Sequence, residues 1–246
     1  MPITVEICID SVHSAVAAEK GGAQRVELCS DLVEGGITPS AGLIATVRQK
    51  IQIGLQVMIR PRAGDFHYSA DEFDIMRRDI RMAKQLGANG VVFGLLDPEG
   101  NVEVERTREL VELARPLNVT YHRAFDMARD LDKSLEDVIS TGADRILTSG
   151  AEVAAADAIP ALKRLVATAG GRIVILVGGG MKPHNAPRVI AETGAREIHA
   201  GLRTTKEGPM LYRNEKLVMG TIPGLEYNRT VVLQKDVEAL VTVVNR

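Results

Sequence analysis

The sequence predicts an α/β fold of the (β/α)8, or TIM barrel, type, built as a single domain over residues 1–246. Three observations predict it: a Gly-Ala phrase recurring ahead of β-rich runs, a further β-rich run between successive phrases, and helical patterns in the gaps. The phrase stands at Gly22-Ala23 before RVELC, Gly87-Ala88 before VVFGL, Gly142-Ala143 before RILTS and Gly194-Ala195 before EIHAG. Glycine suits the residue just past a helix C-terminus, where the backbone turns left-handed, so each phrase marks a helix-to-strand junction.

Successive junctions are far enough apart for two strand–helix units each. The intervening strands are present as TVEICI near the start, LQVMIR at 55–60, VTYHRA at 119–124 and RIVILV at 172–177, which brings the count to eight. Apolar spacing predicts helices over 70–86, through Phe73, Met76, Ile80, Met82 and Ala83, and over 104–117, through Leu110, Val111, Leu113 and Ala114. Such alternation implies parallel strands joined by right-handed crossovers. Eight units without a Pro/Ser-rich linker favour a closed barrel over an open doubly wound sheet, and about 250 residues is usual for one barrel. Residues 202–233 are long for a last loop and carry Gly and Pro before a final helix at 234–245. That stretch reads as a lid or as a subunit contact in a homodimer.

With 45% hydrophobic and 25% charged residues the chain can bury a full core. A formal net charge of −2 and the lack of a Lys/Arg cluster argue against nucleic acid as a partner. The N-terminus MPITVEICID lacks the pattern of a secretory leader, and no stretch approaches the roughly 18 apolar residues of a membrane span. The expectation is a cytoplasmic protein without membrane contact. Its two cysteines, Cys8 and Cys29, are then expected as free thiols.

Strand side chains alternate between two faces, and the apolar set must meet the surrounding helices. In TVEICID this sends Val5, Ile7 and Ile9 outward and Glu6, Cys8 and Asp10 toward the barrel axis. The same argument turns inward Glu27 and Cys29, then Gln56, Met58, Arg60 and Arg62, then Thr120, His122 and Asp126, and finally Glu197 and His199. Barrel interiors are normally filled by branched aliphatic residues, so this polar lining needs internal pairing or a ligand. Asp10, Cys29, Arg60, His122, Asp126 and His199 come late in their strands, at the C-terminal face where barrel enzymes place their active sites.

Two thiols on adjacent strands offer soft ligands for Cu(I) or zinc, with Met58 and His122 as further donors; the blander account is a pair of small core cysteines. Gly178, Gly179 and Gly180 follow strand seven, where barrels often cradle phosphate, although a tight turn also calls for glycine. Arg60 and Arg62, flanking Pro61, suit a bidentate anion clamp or simple carboxylate pairing, and Arg203 is a further cation nearby. His122 and His199 titrate in the range useful for acid–base work, with Glu6, Glu27, Asp10 and Asp126 available to tune them. Asp65 and Asp97 lie in strand-to-helix loops, where they either face a substrate or cap turns. G-x-S-x-G and H-E-x-x-H are absent from the sequence.

Taken together, VEICIDSVHSAVAAEKGGAQRVELCSDLVEGGITPSAGL, MIRPRAGDFHYS, VVFGLLDPEG, YHRAFD, RILTSG and VGGGM resemble the CutC family, in order and in register, from Val5 to Gly201. The resemblance implies a (β/α)8 barrel, a role in cytoplasmic copper homeostasis, and Cys8 and Cys29 as copper-ligating thiols. The last phrase reads IHAGL where many relatives carry serine after the alanine, so Gly201 departs from the pattern. Two readings stand. In the first, a binding protein holds copper as Cu(I) between Cys8 and Cys29, with Met58 or His122 as supplements. In the second, an enzyme acts on a small anionic or phosphorylated metabolite at the C-terminal face. Arg60, Arg62, His199 and the Gly178–Gly180 loop would bind that metabolite, and Glu27, His122 and Asp126 would serve as acid–base groups.

Overall fold

The computed structural model describes residues 2–214, 216–219 and 225–246. Eight parallel strands close into a barrel in sequence order: β1 (Thr4–Ile9), β2 (Arg25–Leu28), β3 (Gly54–Met58), β4 (Gly90–Phe93), β5 (Asn118–Tyr121), β6 (Arg145–Thr148), β7 (Val174–Val177) and β8 (Glu197–Ala200). Closure is made by β1, which pairs in parallel with both β2 and β8. The outer ring consists of α1 (Val12–Lys20), α2 (Ala41–Lys50), α3 (Ala70–Gln85), α4 (Val104–Ala114), α5 (Leu131–Ser140), α6 (Ile159–Ala169), α7 (Ala186–Thr193) and α8 (Gln234–Val244).

The alternation in the strands produces the two layers. Val5, Ile7, Val26, Leu28, Leu55 and Val57 point outward and are fully buried against the helices. Helix ends are set by local chemistry. Ser69 caps α3 through a reciprocal capping box with Glu72, and Ser11, Ser40 and Asp130 accept the first free amides of α1, α2 and α5. The junction glycines Gly22, Gly87, Gly142 and Gly194 take φ of 88°, 84°, 81° and 76°, as the recurring phrase predicts.

Some boundaries fall short of the sequence expectation. Helix α4 stops at Ala114 rather than 117, because Pro116 has no amide hydrogen to continue the ladder. Strand β5 stops at Tyr121, where His122 caps a short 3-10 turn over Arg123–Met127. On α3 the buried stripe is Phe73, Met76, Ile80 and Ala83, and Met82 is turned outward.

The stretch 202–233 is not a plain loop. Its ends form an antiparallel ribbon, β9 (Arg203–Glu207) with β10 (Asn228–Val232), which pairs Thr205 with Thr230 and Thr204 with Val231. These β-branched residues favour the pleated conformation. The Val232 amide donates to Ser14 Oγ at 3.1 Å, which ties the ribbon to α1. Between the strands, Met210, Leu211, Tyr212 and Met219 are exposed. Part of the stretch expected as a lid or subunit contact, residues 215 and 220–224, lies outside the described residues.

Gly90 opens β4 opposite Gln56, and a methyl group there would meet the Gln56 side chain and sit 2.7 Å from the Asn118 carbonyl oxygen. Gly90→Ala is therefore expected to cost about 1–3 kcal/mol. Gly42 in α2 has nothing within 4 Å of the same added atom, so Gly42→Ala should not lower stability. Urea denaturation of the two variants beside the parent chain checks the contrast.

Candidate functional site

The lower barrel interior is an ionic network. Arg25, at the start of β2, pairs with Glu6 of β1 through Nε and donates to Glu197 of β8 from Nη2 at 2.7 Å. Arg145, at the start of β6, donates to the same Glu197 at 2.9 Å. Glu6 and Arg25 are buried, so neither ion has water to replace its partner. Burial pushes the Glu6 carboxyl up, but the Arg25 cation and then His199 outweigh it and hold Glu6 down at about 2.

One layer higher, four of the side chains that alternation turns inward converge. The ring Nδ1 of His199 on β8 lies 2.8 Å from Glu6 Oε1, which leaves Nε2 facing Glu27 Oε2 at 3.8 Å. Cys8 Sγ, a Glu27 carboxylate oxygen and a His199 ring nitrogen all lie within 4.8 Å of one another. Cys29 follows β2 and donates from Sγ to Glu27 Oε2 at 3.6 Å. Below the cavity surface, Cys29 packs with Met58 and Val92 in a small buried cluster that Cys8 and Leu32 adjoin. Both cysteines are free, Cys29 fully buried and Cys8 partly so.

The electrostatics of this cluster are cooperative. A hydrogen bond from Cys29, with help from His199, pulls the Cys8 thiol well below its usual range. The reciprocal bond to Cys8, together with burial, drives Cys29 up. Burial pushes the Glu27 carboxyl well above the carboxylate range, and the Cys8 and Glu6 charges add to that effect. Burial alone would make His199 a weak base, but the Glu27 charge and bonds to Cys8 and Glu6 raise it well above the ordinary histidine value.

Above the cluster opens a cavity of about 770 Å³ at the C-terminal ends of the strands, lined by Cys8, Glu27 and His199 at its floor and by Arg60, Phe66 and His122 on its wall. His122 sits across the barrel from Cys8, because β5 stands diametrically opposite β1 in an eight-stranded ring. Room for its ring comes from Gly94, where an added methyl would stand 2.6 Å from His122 Nδ1. That nitrogen accepts from the Ala124 amide at 3.1 Å, and Nε2 has no hydrogen-bond partner among the described residues. Burial and then the Arg60 cation hold His122 down at about 3, so its ring is neutral and carries its proton on Nε2.

The remaining sequence-selected residues are divided between lining and framework. The Arg60 guanidinium lines the cavity and donates to the carbonyls of Glu34, Gly36 and Gly64. Arg62 lies outside the lining and is engaged by Glu72 and Asp65. Gly178, Gly179 and Gly180 are also outside it: a methyl at Gly178 would crowd Leu147 and His199, and one at Gly179 would crowd Ser149. Asp126 is at the rim with its carboxylate saturated, accepting from Arg123, Thr148, Ser149 and the Ala151 amide. Asp97 caps its own turn through the amides of Glu99 and Asn101. Sequence reasoning missed Arg25 and Arg145, although the same two-residue period that selects Glu27 places Arg25 on its face.

Two outcomes follow from these environments. Arg25→Met leaves Glu6 and Glu197 short of a buried partner and should cost about 3–5 kcal/mol in urea denaturation. For His122, the ordinary value of 6.5 applies to the unfolded chain and about 3 to the folded one. Only the unfolded chain binds that proton between these values, so stability should fall as pH drops through the window. His122→Asn should flatten that acid limb when stability is measured against pH.

The CutC family model matches residues 3–204. The copper homeostasis protein cutC homolog of Homo sapiens is 48% identical over 216 residues, which cover 88% of this chain and 79% of that protein. A CutC family protein of Chromobacterium violaceum is 46% identical over 236 residues, covering 96% of each. Among solved structures, the copper homeostasis protein CutC of Streptococcus agalactiae superposes with a TM-score of 0.75 at 34% identity, covering 80% of this chain and 98% of the other. On the extent of the family match and the identity of its relatives, this chain belongs to the CutC family.

Proposed function

We propose that the chain serves copper homeostasis by holding Cu(I) as cargo between Cys8 and Cys29, with His199 Nε2 as a third donor. The observation that carries this reading is the convergence of Cys8, Glu27 and His199 within 4.8 Å, with the Cys29 thiol bonded to the same Glu27 carboxylate. Thiolates and imidazole are the donors that Cu(I) prefers. The hydrogen bond that His199 Nδ1 donates to Glu6 is the arrangement that orients metal-binding histidines, and it turns the other ring nitrogen toward Glu27 and the thiols. Glu27 Oε1 is buried without a partner among the described residues, a feature consistent with a group that exchanges protons or contacts cargo as the thiols deprotonate. The names of the relatives agree with copper as that cargo. This reading takes the chain to work in the cytoplasm, where thiols stay reduced.

The test is a Cu(I) titration of reduced protein against a chromogenic chelator. The parent chain should take up Cu(I) stoichiometrically, Cys8→Ser/Cys29→Ser should lose that uptake, and His199→Asn should weaken it by about tenfold or more. Uptake that is equally strong without the two thiols would overturn the reading.

A further inference from the structure

The cavity is far larger than a copper ion requires, and one of its walls has a chemistry unlike the thiol floor. Its volume of about 770 Å³ lies within the range of pockets that enclose small organic molecules. Phe66 stands at the centre of this wall. The Arg60 guanidinium lies over its ring at 5.1 Å, and the His122 ring meets it edge-on at 5.0 Å. Both polar side chains are more than nine-tenths buried and both line the cavity.

Each carries a hydrogen-bond donor that no described residue receives: Nε of Arg60 and Nε2 of His122. Among the described residues no carboxylate pairs with Arg60, whose guanidinium donates to three backbone carbonyls and lies over the Phe66 ring. A buried cation without a counter-ion is costly unless an anion completes it. The acids around the cavity do not do so. Asp65 pairs with Arg62, Asp97 caps its own turn, Asp126 is saturated, Glu27 belongs to the thiol cluster, and Glu34 meets Arg60 through its backbone carbonyl rather than its carboxylate. The neutral His122 ring adds an N–H donor that ordinary pH does not alter.

The lining also carries the apolar side chains of Met58, Leu96, Met127 and Leu147, beside the polar residues of the rim. We infer that the cavity binds a small organic acid, its carboxylate received by Arg60 and His122 beside Phe66 and its apolar body lying against Met58, Leu96, Met127 and Leu147. This subsite shares its cavity with the copper site proposed above but uses different side chains, and it stands without that site.

Hydrocinnamate, its neutral analogue hydrocinnamamide and inorganic phosphate serve as probes, titrated into the full chain by calorimetry. Hydrocinnamate should bind saturably at one site, about tenfold or more tighter than the amide, which is the worth of a hydrogen bond to a charged group. His122→Asn retains an acceptor for the Ala124 amide while removing the Nε2 donor, and should weaken hydrocinnamate about tenfold. Arg60→Gln, which retains donors for the carbonyls, should remove the preference for acid over amide. Cys8→Ser/Cys29→Ser should bind hydrocinnamate as the parent does, which separates this site from the copper site. Equal binding of acid and amide, no saturable binding of hydrocinnamate to folded protein, phosphate binding in its place, or indifference to His122→Asn would each overturn the inference.

Discussion

Burying charge inside a closed barrel is the constraint on which the rest of this structure depends. Arg25 satisfies Glu6 and Glu197 together, and Arg145 shares Glu197, so the lower interior is neutralised by ions bound to one another. A buried network of this kind adds little net stability compared with aliphatic packing. What it provides here is position. Glu6, held by Arg25, is also the group that fixes Nδ1 of His199, and His199 in turn faces Glu27 and Cys8. The geometry at the cavity floor is thus inherited, one contact at a time, from an ion pair a layer below.

Much of this was legible in the sequence. The Gly-Ala junctions and the runs between them gave eight strand–helix units, and the two-residue period selected Glu6, Cys8, Glu27, Gln56, Met58, His122 and His199 as interior residues. A strand's own alternation says which face a residue takes, but not the layer in which it meets its neighbours. That depends on register: Cys8 stands opposite Glu27, and Glu6 lies between Arg25 on one side and His199 on the other. The thiol–carboxylate–imidazole cluster is a product of this stagger.

Positions just beyond strand ends were harder to read. Alternation stops with the ladder, so Arg62 and Asp126 could not be placed by counting from within the strand. Arg62 is drawn onto Glu72 of the following helix, and Asp126 onto the loop after β6. His122 follows its strand directly and Arg60 by two residues, and both stay at the cavity, flanking β4, where Gly94 leaves the space that the His122 ring fills. The triple glycine after β7 illustrates the same limit from the other side. Its lack of side chains makes room for His199 and Ser149, a packing role that looks in sequence the same as anion binding.

The ionic plug across the lower barrel also sets an order of events. Because Glu6, Arg25 and Glu197 fill the interior beneath Cys8 and His199, the pocket is a blind well with its mouth at the C-terminal face. A guest that reaches the floor arrives through the space bounded by Arg60, Phe66 and His122, and it must leave by the same way. An occupant of that upper space would lie between the mouth and the floor without touching the floor itself.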